Sequence, residues 1–431
     1  MNTAFGSRNG LAYGLMGFPL AVAALPLYVI LPNHYAREFG VPLATLGAVL
    51  LGARLFDAFI DPALGRLTDR LFARSTAAVL ALGAAAALVL AIGFALLFFP
   101  LVSEPASLVI WATAMLMLTY AGYSALSVAH QSWAAMLGGN EAQRSRIVAW
   151  REGLGLLGVV TASVLPVLLG LPVTTAVFLV ALVLGWWGWQ RSVRPVTVMP
   201  HEVSATPAAP TSVWQPFRQA SFRRLLAVFM LNGIASAIPA TLVLFFIQDK
   251  LAAPASFEPL FLGSYFLCAA LSIPLWLAIV KRIGLARSWL VGMLLAMSVF
   301  VWASQVGDGQ MLAFALICAL SGVALGADLA LPSALLAGVI QAQASPTTGA
   351  YFGWWSFATK LNLALAAGLA LPLLDLFGYA PGVRDAAALN ALVVAYCVLP
   401  CVLKAMAAVA LYLLVIRPTS KSSQTFQESS P

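Results

Sequence analysis

The residues best suited to chemistry form a short ionisable run, Arg54-Leu-Phe-Asp57-Ala-Phe-Ile-Asp61-Pro62, inside an otherwise apolar stretch. On a helix, Asp57 and Asp61 are one turn apart and Arg54 is three residues before Asp57, so the three side chains share one face. Two neighbouring carboxylates repel each other, and a bound proton or cation relieves that repulsion. The run therefore predicts a proton site, or a Na⁺ site if further oxygen ligands are near. The alternative is a structural tie in which Arg54 neutralises the pair.

The composition places this run in a membrane. Of the 431 residues, 62% are hydrophobic and 9% are charged, whereas a soluble domain carries about 25% charged residues. So few charges cannot cover the surface of a water-soluble particle, which indicates a polytopic membrane protein. Because a charge in hydrocarbon costs several kcal/mol unless it is paired or hydrated, each ionisable residue at membrane depth is a functional candidate.

Apolar stretches long enough to cross a bilayer recur along the chain and predict an all-α protein of twelve transmembrane helices in two six-helix halves. The first half, 1–190, contains spans 11–32, 41–62, 76–100, 107–135, 147–170 and 173–190. The second half, 225–416, contains spans 225–247, 258–280, 288–305, 310–336, 349–374 and 388–416. A proline-rich cytoplasmic linker, 191–224, separates the halves, and a disordered cytoplasmic tail, 417–431, follows them.

The basic residues predict the orientation. With a cytoplasmic N-terminus, sixteen Lys and Arg residues fall in inside loops and three, Arg37, Lys250 and Arg384, fall outside. This positive-inside bias places both termini in the cytoplasm, in a bacterial-type inner membrane. It also explains the net charge of +8 without a nucleic-acid partner. The expected partners are a small-molecule substrate and membrane lipid, with the chain a monomer.

Other cofactor chemistry has little support in the sequence. The four cysteines, Cys268, Cys318, Cys397 and Cys401, lie in apolar segments, where small buried thiols are expected rather than a metal site or a disulfide. The sequence contains no nucleotide-binding motif, so ATP is not expected to drive the protein. We therefore expect no cofactor and no metal, only a coupling ion, H⁺ or Na⁺.

The ionisable run extends into a longer pattern, Arg54-x-x-Asp57-Ala-x-x-Asp61-Pro62-x-x-Gly65-x-x-x-Asp69-Arg70. This pattern resembles the signature of the melibiose permease-like glycoside–pentoside–hexuronide cation symporters of the major facilitator superfamily. Three further motifs match that family in the same order: Leu11-Ala-Tyr13-Gly14, Phe357-Ala-Thr-Lys360 and Gly378-Tyr379-x-Pro381. The resemblance implies a major facilitator fold and a structural, conformational role for Gly65, Asp69 and Arg70 in the loop after span 2.

The resemblance also implies roles for site residues. Asp57 and Asp61 would bind the coupling cation beside Arg54, and Lys360 would couple that site to the substrate. The residues alone favour the same assignment, since a cation in one half opposite two carboxylates in the other makes a natural gating pair. Trp133 and Arg151 fall where the family has a substrate-site tryptophan and arginine.

Three departures from the family bear on the coupled ion and the substrate. Ile60 replaces an asparagine whose amide oxygen helps to bind sodium in a well-known member, which favours H⁺ over Na⁺. Ala21 and Ala129 replace the two aspartates that grip the sugar. The family therefore implies a sugar or glycoside, and the alternative is an amphiphilic or lipid-like substrate.

The remaining substrate candidates are His130, Tyr123, Asp328 and Trp355. A lone histidine in a helix is more often a packing residue, so His130 either packs in the interior or takes part in binding the substrate or a proton. Arg151 and Glu152 are adjacent, so we expect them to point in different directions and not to pair. Lys404 is expected to be structural.

Two other function classes remain as alternatives. An intramembrane enzyme would use His130 as a base, but no Ser/His/Asp set or metal cluster at membrane depth supports it. A transport-inactive receptor would not need the charged set Arg54, Asp57, Asp61 and Lys360. The sequence therefore predicts a secondary active transporter, not an enzyme, which symports a cation and a small organic solute by alternating access.

Overall fold

A computed structural model describes residues 6–41, 43–195, 212–343, 347–379 and 385–418, and their regular structure is helical throughout. The predicted linker is therefore described only at its two ends, and the predicted tail only at 417 and 418. An all-α fold follows from the composition, since lipid offers no hydrogen-bond partner and a helix satisfies its own backbone groups.

The N-terminal helices begin with three short pieces and continue with four long ones. They are α1 (Ser7–Gly14), α2 (Gly17–Leu25), α3 (Leu31–Glu38), α4 (Leu43–Arg74), α5 (Thr76–Phe98), α6 (Pro105–Met136) and α7 (Glu141–Arg191), with a π-helical turn at Pro26–Ile30 between α2 and α3. Gly170, with φ of +80°, kinks α7, and the helix contains two segments long and apolar enough to cross a membrane, Glu141–Pro166 and Leu168–Arg191.

The C-terminal helices follow the same pattern of long spans joined by short connections. They are α8 (Gln215–Arg218), α9 (Ala220–Phe245), α10 (Glu258–Ile283), α11 (Leu285–Ala303), α12 (Met311–Ala342), α13 (Thr348–Leu376), α14 (Ala386–Val393) and α15 (Leu399–Leu411). π-helical turns at Phe246–Lys250, Val394–Val398 and Tyr412–Ile416 extend or join these helices, and Ala255–Phe257 is a 3₁₀ turn.

Nine segments within the described ranges are long and apolar enough to cross a membrane. They coincide with the predicted spans 3 to 10 and 12, while the predicted spans 1, 2 and 11 fall on the helices α1–α3, α4 and α13. Large apolar side chains such as Phe59, Ile110 and Leu271 are exposed. Apolar surface of this extent indicates a membrane environment rather than water.

The chain divides into two compact units. The first comprises Met1–Pro216 and Ile340–Phe357, and the second comprises Phe217–Val339 and Ala358–Pro431. Each unit has its own core, with Phe94, Trp133 and Trp189 in the first and Phe246 and Tyr396 in the second. The first turns of α13 thus belong to the same unit as the N-terminal helices. The two six-helix halves expected from the sequence, 1–190 and 225–416, stay a prediction.

Candidate functional site

The two predicted coupling carboxylates lie on the buried side of α4. Asp57 is 3% exposed and Asp61 is 0% exposed, whereas Arg54, three residues earlier, is exposed. The hydroxyl of Ser124 on α6 donates a hydrogen bond of 2.6 Å to the Asp57 carboxylate. The helix therefore brings two carboxylates and one hydroxyl together inside the first unit, where a change of charge has a large electrostatic effect.

Glycines lie where α4 packs against the first turns of α13, next to Asp61 and further along α4. A Cβ atom added to Gly65 would lie 2.2 Å from the carbonyl oxygen of Gly349, and one added to Gly353 would lie 2.6 Å from that of Asp61. Both distances are too short for any side chain. The glycines thus allow the two backbones to touch, as small residues do where membrane helices pack closely.

Asp69, one turn beyond Gly65, caps the start of α13. Its carboxylate accepts hydrogen bonds from the backbone N–H groups of Gly349 at 2.5 Å and Ala350 at 2.9 Å. These N–H groups belong to the first turn of a helix and have no partner within it. A carboxylate also interacts favourably with the positive end of the helix dipole. Gly65 and Asp69 therefore act together, the glycine permitting the approach and the aspartate holding it.

The environment of Asp69 changes its acidity. Asp69 lies beyond the predicted span 41–62 and is 7% exposed. Burial raises the pKa of its carboxyl to about 7, against the opposing effect of the two amide hydrogen bonds. Arg70, the next residue, is exposed. The motif thus contains one buried acid that titrates near neutral pH and one exposed base.

A polar stripe follows α6 in the same unit. Tyr123, Ser127 and Gln131 are spaced by four residues and share a helix face. The Gln131 side chain donates to the Ser127 hydroxyl at 3.0 Å, and the Arg151 guanidinium on α7 donates to the same hydroxyl at 3.3 Å. These groups offer hydrogen-bond donors and acceptors to a polar solute.

The expectation that Arg151 and Glu152 do not pair is wrong. An Arg151 Nη1 to Glu152 Oε1 distance of 2.6 Å shows an ion pair between partly buried side chains. The Cβ atoms of adjacent helical residues diverge, but the long arginine side chain can fold back along the helix and reach its neighbour.

His130 and Trp133 lie in the packed interior of the first unit. The His130 ring stacks on Tyr13 with centroids 4.1 Å apart, and its Nε2 lies 3.0 Å from the Tyr13 carbonyl oxygen. Trp133 donates its indole N–H to the Val193 carbonyl oxygen at 3.0 Å and packs edge-on against Trp189. Both are 0% exposed, so this conformation gives them packing contacts, while their substrate roles stay predictions.

The candidates from the C-terminal half separate into two places. Asp328 on α12 pairs with Lys404 on α15 at 2.9 Å inside the second unit, which agrees with a structural role for Lys404. Trp355, 4% exposed, lies in the part of α13 that belongs to the first unit. Lys360 lies further along α13 in the second unit, and its pairing with the α4 carboxylates stays a prediction.

A known sequence family covers most of the chain. Its sequence profile, described as MFS/sugar transport protein, matches residues 10–417. The chain belongs to this family. Members are membrane transporters and not enzymes, as the sequence predicted.

Solved structures of two transporters share the fold. A bacterial homologue of the iron transporter ferroportin, in an outward-facing state, aligns with a TM-score of 0.70 and 16% identity over 94% of this chain and 99% of its own. The Escherichia coli fucose:proton symporter aligns with a TM-score of 0.69 and 16% identity over 95% and 99% of the two chains. No curated protein sequence matches the chain significantly. At this identity the likeness shows the fold alone.

Sequence reasoning missed several contacts of this MFS transporter. Ser124 carries no motif that would have singled it out. The Arg144 guanidinium donates to the Gln341 side chain at 2.7 Å, a contact that no motif in the sequence indicates. The Trp354 indole donates to the Val213 carbonyl oxygen at 2.9 Å while its ring packs on Trp214. These contacts join segments far apart in sequence, for which spacing offers no signal.

Proposed function

We propose that this transporter couples the entry of a cation, H⁺ rather than Na⁺, to the symport of a small organic solute. The observation that carries the proposal is the buried pair Asp57 and Asp61, one turn apart on α4, with the Ser124 hydroxyl bonded to Asp57. Two buried carboxylates are costly as a mere packing device, whereas a proton shared with the pair relieves their repulsion.

The local residues favour a proton over sodium. A sodium ion needs several oxygen ligands, and oxygen donors are what hard cations select. Ile60, which stands beside Asp61, has no side-chain oxygen, and the Ser124 hydroxyl adds only one neutral oxygen to the two carboxylates. A proton needs only one carboxylate oxygen, so the same pair suffices for it.

A change of charge at this pair would act next to the contact between α4 and α13. The backbone of Asp61 touches Gly353 on α13, and Asp69 on the same α4 holds the first turn of α13. Lys360 lies seven residues, or about two turns, after Gly353 on that helix. We infer that protonation of the pair shifts the balance between two packings of α4 and α13, which biases the alternating-access states.

The substrate is proposed to be a sugar or glycoside. The stripe Tyr123, Ser127 and Gln131, with the Arg151 guanidinium, supplies hydroxyl, amide and cationic groups suited to polyol hydroxyls. The shared fold with a fucose:proton symporter is consistent with this class. An amphiphilic or lipid-like substrate is the second candidate, because Ala21 and Ala129 remove carboxylates from the corresponding positions.

The setting proposed for this activity follows from the charge distribution. Both termini face the cytoplasm of a bacterial-type inner membrane, and the protein works as a monomer with no cofactor beyond the coupling ion. Sixteen basic residues on one side against three on the other support the orientation. Reactivity of single cysteines introduced at exposed Arg70 and exposed Leu101 towards a membrane-impermeant maleimide in intact cells tests it, since only position 101 should react.

The function is tested by uptake into proteoliposomes under an imposed proton gradient, with sugars and amphiphiles screened side by side. The proposal predicts gradient-driven accumulation of at least one of these solutes by the wild type and none by Asp57→Asn or Asp61→Asn. Asp385→Asn, which changes an exposed helix-capping aspartate, is the control and should retain uptake. Unchanged ion coupling in both α4 variants would overturn the assignment of the cation site.

A further inference from the structure

The second unit contains a cavity of about 180 Å³ between α9, α10, α11, α12 and α15. Its walls are mainly apolar, with the aromatic side chains of Phe261, Tyr265, Phe300 and Tyr396 among them. An engineered apolar cavity of about 150 Å³ stays dry and accepts benzene. The space is therefore large enough for one six-membered ring or a branched chain of similar size.

The cavity lining includes the ion pair of Asp328 and Lys404, whose hydrogen bonds are already complete. Lys404 Nζ donates to Asn232 Oδ1 at 2.8 Å, to Ser236 Oγ at 2.8 Å and to Asp328 Oδ2 at 2.9 Å. The Asp328 carboxylate also accepts from Asn232 Nδ2 at 3.1 Å, Ser236 Oγ at 3.2 Å and Trp289 Nε1 at 2.8 Å. An ammonium has three donors and a carboxylate has about four acceptor positions, so both groups are saturated.

This saturation determines what the cavity can hold. A charged ligand would lose its hydration and would find no unsatisfied opposite charge at this ion pair. To bind there, it would have to break hydrogen bonds that join α9, α11, α12 and α15. An uncharged apolar group pays neither penalty, and it restores the dispersion contacts that an empty space between packed side chains lacks.

We propose that this cavity is a binding site for an uncharged apolar group containing one ring or a branched chain of that size. The aromatic walls offer offset or edge-to-face contacts to a ring, and the flexible thioether of Met297 can adapt to its shape. The group belongs to a free small molecule or to the end of a lipid chain. The site requires no cation coupling, so it does not rest on the function proposed above.

The test uses a small aromatic diazirine as the probe, with the full-length protein in lipid nanodiscs and labelled residues located by mass spectrometry. The proposal predicts saturable labelling of cavity residues, such as Tyr265 and Cys401, that excess toluene abolishes. Benzoate and benzylammonium, which have the same ring with a charge, should not compete. Labelling of cavity residues that never saturates, like that of outward-facing residues on the same helices, would overturn the proposal.

Lipid composition distinguishes the two sources of the group. If a lipid chain is the occupant, changing the nanodisc from straight-chain to branched-chain lipid should lower the cavity labelling at constant probe concentration. If a free molecule is the occupant, labelling should respond to toluene and not to the lipid. A cavity that responds to neither contradicts the site.

Cavity-filling variants provide the second, independent readout. Ala324→Phe adds a ring in the interior of the cavity and Ala240→Phe adds one at its exposed rim, where folding should tolerate it. Both should lose the saturable labelling. Ala227→Phe, an exposed position on the same helix α9 as Ala240 and outside the cavity lining, is the matched control and should keep it. Wild-type labelling in Ala240→Phe would refute the site even if Ala324→Phe fails to fold.

These outcomes are separate from those of the transport tests. A loss of saturable labelling leaves the response to pH at Asp57 and Asp61 unaffected, because the cavity lies within the second unit and the α4 carboxylates lie within the first. Failure of the cavity proposal with intact coupling, or the reverse, therefore identifies which of the two is wrong.

Discussion

The capping of α13 by the Asp69 carboxylate leads to a specific prediction about local stability. Removing the carboxylate in Asp69→Ala takes the acceptor away from the N–H groups of Gly349 and Ala350, which are both buried. Loss of a capping side chain costs about 0.5–2 kcal/mol. Burial of both donors places this case at the upper end, since buried donors left without an acceptor pay their full desolvation.

Hydrogen–deuterium exchange of a peptide covering 347–353 measures this effect directly. A loss of about 2 kcal/mol in local stability corresponds to roughly 30-fold faster exchange through local opening. The wild type and the variant should be compared at one fixed pH below 6, where protonation of Asp69 favours the packed state. Exchange in α5, which is capped by Ser75 at its own start, should not change.

Asp385→Ala is the matched control for this experiment. The Asp385 carboxylate accepts from the N–H groups of Ala387 and Ala388 at the start of α14. Its loss should speed exchange at 386–390 and leave 347–353 unchanged, while Asp69→Ala should do the reverse. Wild-type exchange at 347–353 in Asp69→Ala would refute the capping role and, with it, the explanation given for the Gly65-x-x-x-Asp69 spacing.

Three further predictions concern Asp69, Gly353 and the ion pair of Lys404 with Asp328. The pKa of Asp69 is raised from 3.8 to about 7 in the packed state, so protonation favours the packed state. The stabilisation of the packed state by this protonation, up to about 4 kcal/mol, is fully present below pH 4 and is lost as the pH rises through 7. Exchange at 347–353, corrected for intrinsic rates, should therefore slow as the pH falls from 8 to 5, and Asp69→Asn should abolish this dependence. Gly353→Val should destabilise the protein by at least about 1–3 kcal/mol through overpacking against Asp61, whereas Gly263→Val, at an open position, should change the melting temperature little. Lys404→Ala should lower the free energy of unfolding by about 3–5 kcal/mol because Asp328 stays buried without its partner. Adding Asp328→Asn should recover part of that loss. A melting temperature equal to wild type in Lys404→Ala would contradict a structural role for the ion pair.

The sequence was sufficient for the helices because lipid imposes a simple rule. Long apolar stretches must be helical, and the break at Gly170 and Pro172 in α7 falls where two predicted spans meet. The α4 carboxylates were also predictable, because a helix fixes which residues share a face over one turn. Within one helix, the sequence spacing of two residues determines whether their side chains share a face.

Contacts between elements were beyond the sequence. Asp69 and Gly349 are separated by 280 residues, and nothing in their spacing indicates that one caps the helix of the other. The network around Asp328 draws on four helices, and only the three-dimensional arrangement shows that Lys404 satisfies it. The error at Arg151 and Glu152 has a different cause, since Cβ directions constrain a short side chain far more than a long one.

The measurement that tests the central claim most directly is thermal unfolding of the purified protein against pH and against Na⁺ at fixed ionic strength. The account predicts a pH-dependent shift of the melting temperature that is diminished in Asp57→Asn, with no stabilisation by Na⁺ in either protein. Asp69→Asn, made in the same background, separates the contribution of the α13 cap. Stabilisation by Na⁺ that disappears in Asp57→Asn would contradict proton coupling, and a pH response identical in Asp57→Asn, Asp61→Asn and wild type would contradict the site itself.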